Sequence, residues 1–201
     1  SIYHNNLVNN AIQVYASDSV NAWDDGYPSG GNYWSNYNGT DLYNPYHNAT
    51  GSDGIGDTPL VLDASNADNY PLMGVFSDFN ATSKYHVQTV CNSTISEFQF
   101  NGAAIRFNVS GENGTSGFCR ICLSTSLING TYKVFVDDVE VPYTLLPFSN
   151  NTHNYLYFTY DHSTHKVAII PELPSLAIFP LLMMAMLLAI VYRRKYCNDN
   201  L

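Results

Sequence analysis

Between Ser83 and Pro171 apolar and polar residues alternate in short runs: TISEFQF, AAIRFNVS, GFCRICLS, TYKVFVDD, EVPYTLL, NYLYFTY and KVAIIP. They recur at roughly 8–12-residue intervals between Asn, Gly and Ser, the spacing of an antiparallel sandwich. The pattern predicts an Ig-like β-sandwich over 77–170. Ile105, Phe107 and Val109 share its inner face, with Arg106 and Asn108 on the outer one. By the same parity Cys119 points inward with Ile121 and Leu123. Asp137-Asp138 falls where a two-residue hairpin turns, although Gly is favoured at the second position because both residues need positive φ.

Before the sandwich the pattern changes twice. Residues 1–22, opening SIYHNNLVNNAIQVY, read as the last coil of a right-handed parallel β-helix. Ile2, Leu7, Ile12 and Val14 are expected to fill its core, and Asn5-Asn6 and Asn9-Asn10 to stack on preceding coils. One coil cannot bury its own apolar face. With Ser1 in place of an initiating Met, this reads as a fragment or processed chain. Residues 23–76 are punctuated by Gly26, Pro28, Gly30, Gly31, Gly51, Gly54 and Gly56, so a cap of irregular backbone is expected, with Trp23, Trp34 and the tyrosines supplying the buried surface.

After the sandwich comes LPSLAIFPLLMMAMLLAIVY, uncharged from Leu173 to Tyr192. A helix of that length spans the roughly 30 Å hydrocarbon core of a bilayer. A transmembrane helix is expected over 171–192, with 193–201 as a basic tail. Arg193, Arg194 and Lys195 place the tail in the cytoplasm and residues 1–172 outside the cell, at the cell membrane. The expected fold class is therefore all-β: a β-helix end, a cap and an Ig-like sandwich, followed by one α-helical span.

Charge narrows the partners. The chain carries −9, and residues 1–83 contain nine Asp but no Lys or Arg. That excludes nucleic acid as a ligand and favours metal cations or neutral sugars. Eight N-x-S/T sequons begin at Asn38, Asn48, Asn80, Asn92, Asn108, Asn113, Asn129 and Asn150, all before the span. They point to an extracellular, glycan-coated surface. Cys119 and Cys122 face opposite ways on a strand and cannot share one zinc ion, so Cys91 is the ectodomain thiol available to pair with Cys119. Cys197 follows the basic tail, on the cytoplasmic side by the same topology.

Asp53 and Asp57 flank two glycines, and Asp63 and Asp68 follow, an oxygen-rich set that calcium could use or that could equally cap a glycine loop by Asx-turns. Asp24-Asp25 lack the spacing of a glycosidase pair, because adjacent side chains on extended chain diverge. His162 and His165 also diverge, without a third ligand in sequence. No catalytic residue is assigned. Exposed Trp and Tyr in the cap could stack on sugar rings or fill its core.

WDDGYPSGGNYW, DGIGDTP and NYPLM make residues 1–76 resemble the NosD-type β-helix family, also described as periplasmic copper-binding proteins and as carbohydrate-binding and sugar-hydrolysis domains. Copper is implied by that resemblance alone, and His4, His47 and Met73 are scattered for it. NSTISEFQFN, FNVSGENGTSGFC, DDVEVPYTL and LYFTYDHSTHKV make residues 92–168 resemble a sandwich found beside the membrane in archaeal surface proteins. Pro171, Glu172 and Leu173, an apolar span and a basic tail look like a PEF-type C-terminal sorting signal, with Leu in the third position where the family has Phe. The implied role is a membrane-anchored surface protein that binds glycans, adheres or supports the envelope, in contact with glycans or neighbouring envelope proteins. Two alternatives remain: a polysaccharide hydrolase or lyase with its site on further N-terminal coils, and a copper-maturation role.

Overall fold

The computed structural model describes residues 1–16, 19–43, 50–172, 183–184 and 186–189. Its strands are β1 (Asn6–Leu7), β2 (Tyr33–Trp34), β3 (Leu60–Asp63), β4 (Asn66–Asp68), β5 (Val75–Asn80), β6 (His86–Cys91) and β7 (Thr94–Phe100). They continue as β8 (Ile105–Ser110), β9 (Ser116–Ser124), β10 (Tyr132–Val136), β11 (Val139–Val141), β12 (Tyr143–Leu145), β13 (His153–Asp161) and β14 (Thr164–Pro171).

Two five-stranded antiparallel sheets, ordered β11-β10-β14-β8-β7 and β12-β13-β9-β6-β5, pack around one core. Each contributes alternate residues. Ile105, Phe107 and Val109 of β8 are at most 2% exposed, and they meet Cys119, Ile121 and Leu123 of β9 and Leu156 and Phe158 of β13. Each large apolar side chain so buried contributes about 1.5–3 kcal/mol. Every alternating run read from the sequence holds a strand, and EVPYTLL divides into two, β11 and β12, which belong to different sheets.

The first two strands of the sandwich escape the alternation pattern. β5 and β6 form a hairpin that joins the second sheet, with Cys91 paired to both Val75 and Cys119. β6 reads HVQTVC, and its alternation is masked because Val90 is buried on one face while Val87 and Cys91 are buried on the other. The outward face of this sheet is covered by the N-terminal segment. Arg120 and Val90 are consequently buried although they point away from the sandwich core.

In that segment β1 and β2 pair in parallel, Asn6 with Tyr33 and Leu7 with Trp34, and Tyr33 also bridges Leu72 in parallel. Trp23, Trp34, Ile55 and Leu72 are its buried apolar residues, so the two tryptophans fill the interior rather than offer open faces. Ile12 does not fill the core expected of it. It is 74% exposed, and Ile2, Leu7 and Val14 are only half-buried among the described residues. Residues 1–16 contribute a single two-residue strand.

The expected span at 171–192 lies mostly outside the described residues. Residues 183–184 and 186–189 are helical, and no helix among the described residues is long and apolar enough to cross a membrane. Pro171 closes β14 opposite Tyr132, and Glu172 bonds to Thr131 through its backbone N–H and its carboxylate, so the start of the expected sorting signal is tied to the sandwich. Leu173, Arg193, Arg194, Lys195 and Cys197 are outside the described residues, as are His47 and Asn48.

Candidate functional site

Two acidic residues of the N-terminal segment, Asp41 and Asp53, come together near its contact with the sandwich. Asp41 accepts the backbone N–H of Asp53 and of Gly54, at 2.9 and 2.8 Å. Asp53 accepts the Tyr27 hydroxyl at 2.8 Å and the N–H of Ile55 at 2.9 Å. Asp57 turns the other way, holding Leu42 N–H at 2.8 Å and Tyr43 N–H at 3.3 Å. These bonds fold the loop after residue 50 onto residues 40–43.

Burial pushes the Asp41 carboxyl up to about 7, with the neighbouring Asp53 and Asp57 adding to the effect against its two N–H donors. Burial raises Asp53 too, opposed by the nearby Arg120 and by Tyr27. Arg120 comes from the outward face of β9. Its guanidinium lies 5.5 Å from the Phe148 ring and 5.1 Å from the Tyr155 ring, and it donates to Pro28 O. Its Nε is buried without a partner.

Of the four expected calcium ligands, Asp53 and Asp57 lie in this cluster and the other two do not. Asp63 accepts Ser65 N–H and the Asn66 amide. Asp68, fully buried, accepts the Trp34 indole N–H and the N–H of Asn32, both at 2.8 Å. Asp53, Asp63 and Asp68 each accept the N–H two residues on, the Asx arrangement, while Asp68 and Asp57 are held mainly by donors from residues 32–43. Among the described residues no three His, Cys, Asp or Glu side chains converge to hold a metal ion.

Beside Asp57 opens a cavity of about 330 Å³ lined by Tyr43, Ile55, Gly56, Asp57, Pro59, Asn69 and Tyr70. Aromatic and apolar faces form most of its wall, and Asp57 and Asn69 supply the polar atoms. Asp24 does not pair with Asp25 there, because its carboxylate accepts the N–H of Gly26 and the amide of Asn69.

His162 and His165 diverge as expected. His162 Nε2 lies 2.7 Å from Ser93 Oγ, and its Nδ1 contacts Thr115 Oγ1. His165 lies 2.7 Å from Asp137 Oδ2 through Nδ1 and 2.8 Å from both Ser163 Oγ and Asp161 O through Nε2. Those distances resemble a Ser-His-Asp triad. A carbonyl oxygen against Nε2 requires a proton there, however, and the Asp137 carboxylate requires one on Nδ1. Those contacts suit an imidazolium that clasps two turns, a form in which the ring would have no lone pair to take a proton from Ser163.

Six sequon asparagines, Asn38, Asn80, Asn92, Asn113, Asn129 and Asn150, are exposed, and Asn108 is half-buried beside Glu97. Asp41, Tyr27 and Arg120 were not singled out from sequence. The usable signal was an acidic segment with no cation of its own, which requires one from elsewhere in the chain. His4 stacks on Phe76 with Nε2 3.1 Å from Ser29 O, in no group with Met73 that could hold copper. No protein-family model matches the chain, and no curated protein or solved structure matches it either.

Proposed function

We propose that this chain is the membrane-anchored part of an extracellular envelope protein that binds neutral glycans in the cavity between Tyr43 and Tyr70. The observation that carries this reading is the cavity itself. It has about 330 Å³ of space, aromatic and apolar walls and two polar side chains, and it sits in a segment without Lys or Arg. Sugar rings present apolar C–H faces to aromatic rings and hydroxyls to carboxylate and amide groups. An anionic ligand would meet Asp57 and no compensating cation in the wall.

The architecture supports display. The parallel pairing of β1, β2 and Leu72 fits the end of a NosD-type β-helix, and the sandwich would hold it above the membrane. The uncharged run 173–192 and the basic residues after it would anchor the chain with residues 1–172 outside, and the exposed sequons fit that compartment.

Calorimetric titration of the full chain in nanodiscs with neutral gluco-, manno- and galacto-oligosaccharides tests the reading. Saturable heat is expected with at least one of them, and loss of it in Tyr70→Ala. Absence of heat with all three, or an equal response to oligogalacturonate, would overturn it.

A further inference from the structure

Cys91 is the last residue of β6 and Cys119 lies directly opposite it on β9. Both are buried in the same core cluster, at 1% and 0% exposure. Cys119 Sγ donates to Arg120 O at 3.8 Å, and the two thiols are near enough to shift each other's titration. We propose that Cys91 and Cys119 form a disulfide within the second sheet when the protein meets a low-molecular-weight disulfide.

Geometry allows it without rearrangement of the strands. Directly opposed residues of antiparallel strands have Cα atoms about 4.5–5.5 Å apart. A disulfide spans Cα separations of roughly 4.4–6.8 Å. Register partners also point to the same face, here the sandwich interior. Cys122 is no competitor, since it stands on the opposite face of β9 opposite Gln88 and Tyr155. The bond would close a loop containing β7 and β8, so it would tie one sheet together around a hairpin of the other.

The two sulfurs have different surroundings, which assigns their roles. Cys91 Sγ receives the N–H of Ser93 at 3.4 Å and lies 3.4 Å from the Tyr160 hydroxyl. Tyr160 in turn contacts Ser93 Oγ at 2.7 Å, and Ser93 contacts His162. The Ser93 N–H and the Tyr160 hydroxyl stand ready to stabilise a thiolate on Cys91, whereas Cys119 Sγ is fully buried and faces only the Arg120 carbonyl. Cys91 is thus the attacking sulfur.

When the end of β6 opens, the Cys91 thiolate attacks one sulfur of R–S–S–R, forming Cys91–S–S–R and expelling RS⁻. Cys119 gives its proton to that thiolate and attacks the Cys91 sulfur, expelling the second RS⁻. The second RS⁻ leaves protonated as a thiol, taking the proton lost earlier by Cys91. The protein dithiol loses two electrons and two protons, and R–S–S–R becomes two RSH.

The test equilibrates the full chain in detergent with oxidised and reduced glutathione, quenches with acid, alkylates under denaturing conditions and maps the peptides by mass. The expected product links the peptides of Cys91 and Cys119 and leaves Cys122 and Cys197 alkylated. Closing a loop of roughly 30 residues should raise Tm by about 10 °C over the protein kept in dithiothreitol. Cys119→Ala should abolish both the link and the redox dependence. Alkylation of all four cysteines at every glutathione ratio, a Cys91–Cys122 link, or glutathione retained on Cys91 without a cross-link would each overturn the proposal. Because mapping uses the unsubstituted chain, its outcome holds even where a variant misfolds.

Discussion

Arg120 on the outward face of β9 supplies the positive charge against which Asp53 is set, in a segment with no Lys or Arg of its own. Arg120 is only 3% exposed, and Gly54, which follows Asp53, packs against its side chain. Arg120→Met keeps an apolar stem but leaves the buried carboxylate uncompensated. Urea unfolding should then show a loss of about 1–3 kcal/mol. Adding Asp53→Asn should return part of it, through a coupling of about 1–3 kcal/mol. A loss below about 1 kcal/mol for Arg120→Met would mean that the segment is held on the sandwich by apolar contact alone.

Stability should fall as pH rises from about 4 to about 7. The folded Asp41 carboxyl is raised to about 7 from 3.8, so the native state holds a proton that the unfolded chain has released. Stability from this group is full below the unfolded value and is lost as pH climbs through the folded one. Burial raises Asp53 and Asp68 in the same direction. Tm measured from pH 4 to pH 8 should decline, and Asp41→Asn should flatten the decline. An unchanged slope in that variant would reject Asp41 as a source.

The sandwich was legible because each of its faces has one environment. Ile105, Phe107 and Val109 face the core while Arg106 faces water, so sequence parity and burial agree. Parity failed where a second layer covers the sheet. β6 and β9 are buried on both faces, which hid β6 and buried Arg120 although its parity places it on the outward face. In the N-terminal segment the tryptophan interior could be anticipated from the shortage of aliphatic residues. The partners of its acids could not, because Asp53 feels the charge of Arg120 and Asp68 bonds to Trp34 across separations of 67 and 34 positions. Local patterns carry no such pairing. The cavity at Tyr43 and Tyr70 was invisible for the same reason.

The β10–β11 hairpin turns on Asp137 and Asp138, with φ of 49° and 64° and Val136 paired to Val139. Asp137 is fixed by its role within the fold, since its carboxylate holds both His165 and the N–H of Lys166. Asp138 has no such tie to those two groups. Asp138→Gly should relieve the left-handed backbone and stabilise the chain by about 0.5–1 kcal/mol. Asp137→Gly should destabilise it. The two variants compared by thermal unfolding separate turn geometry from the clasp, and equal shifts would reject this division.

His165 and Asp137 should give the clasp a pH window of its own. The hydrogen bond donated to Asp137 raises the imidazole above its ordinary value, and His165 lowers Asp137 below the usual carboxylate range. A raised base stabilises below its unfolded pKa and loses that contribution as pH rises through the folded one. A lowered acid does the reverse, losing its contribution as pH falls through its folded value. The clasp is therefore strongest between the two folded pKa values. It releases on the alkaline side when Nδ1 or Nε2 gives up its proton, because one of the facing oxygens then meets a lone pair. Imidazole ¹⁵N chemical shifts should show both nitrogens protonated at pH 6. His165→Gln, which can donate to only one of the two turns, should remove that transition and leave the decline due to Asp41 in place. A neutral ring at pH 6 would restore Ser163 as a hydroxyl facing a free imidazole nitrogen, and with it the reading of these three residues as a triad.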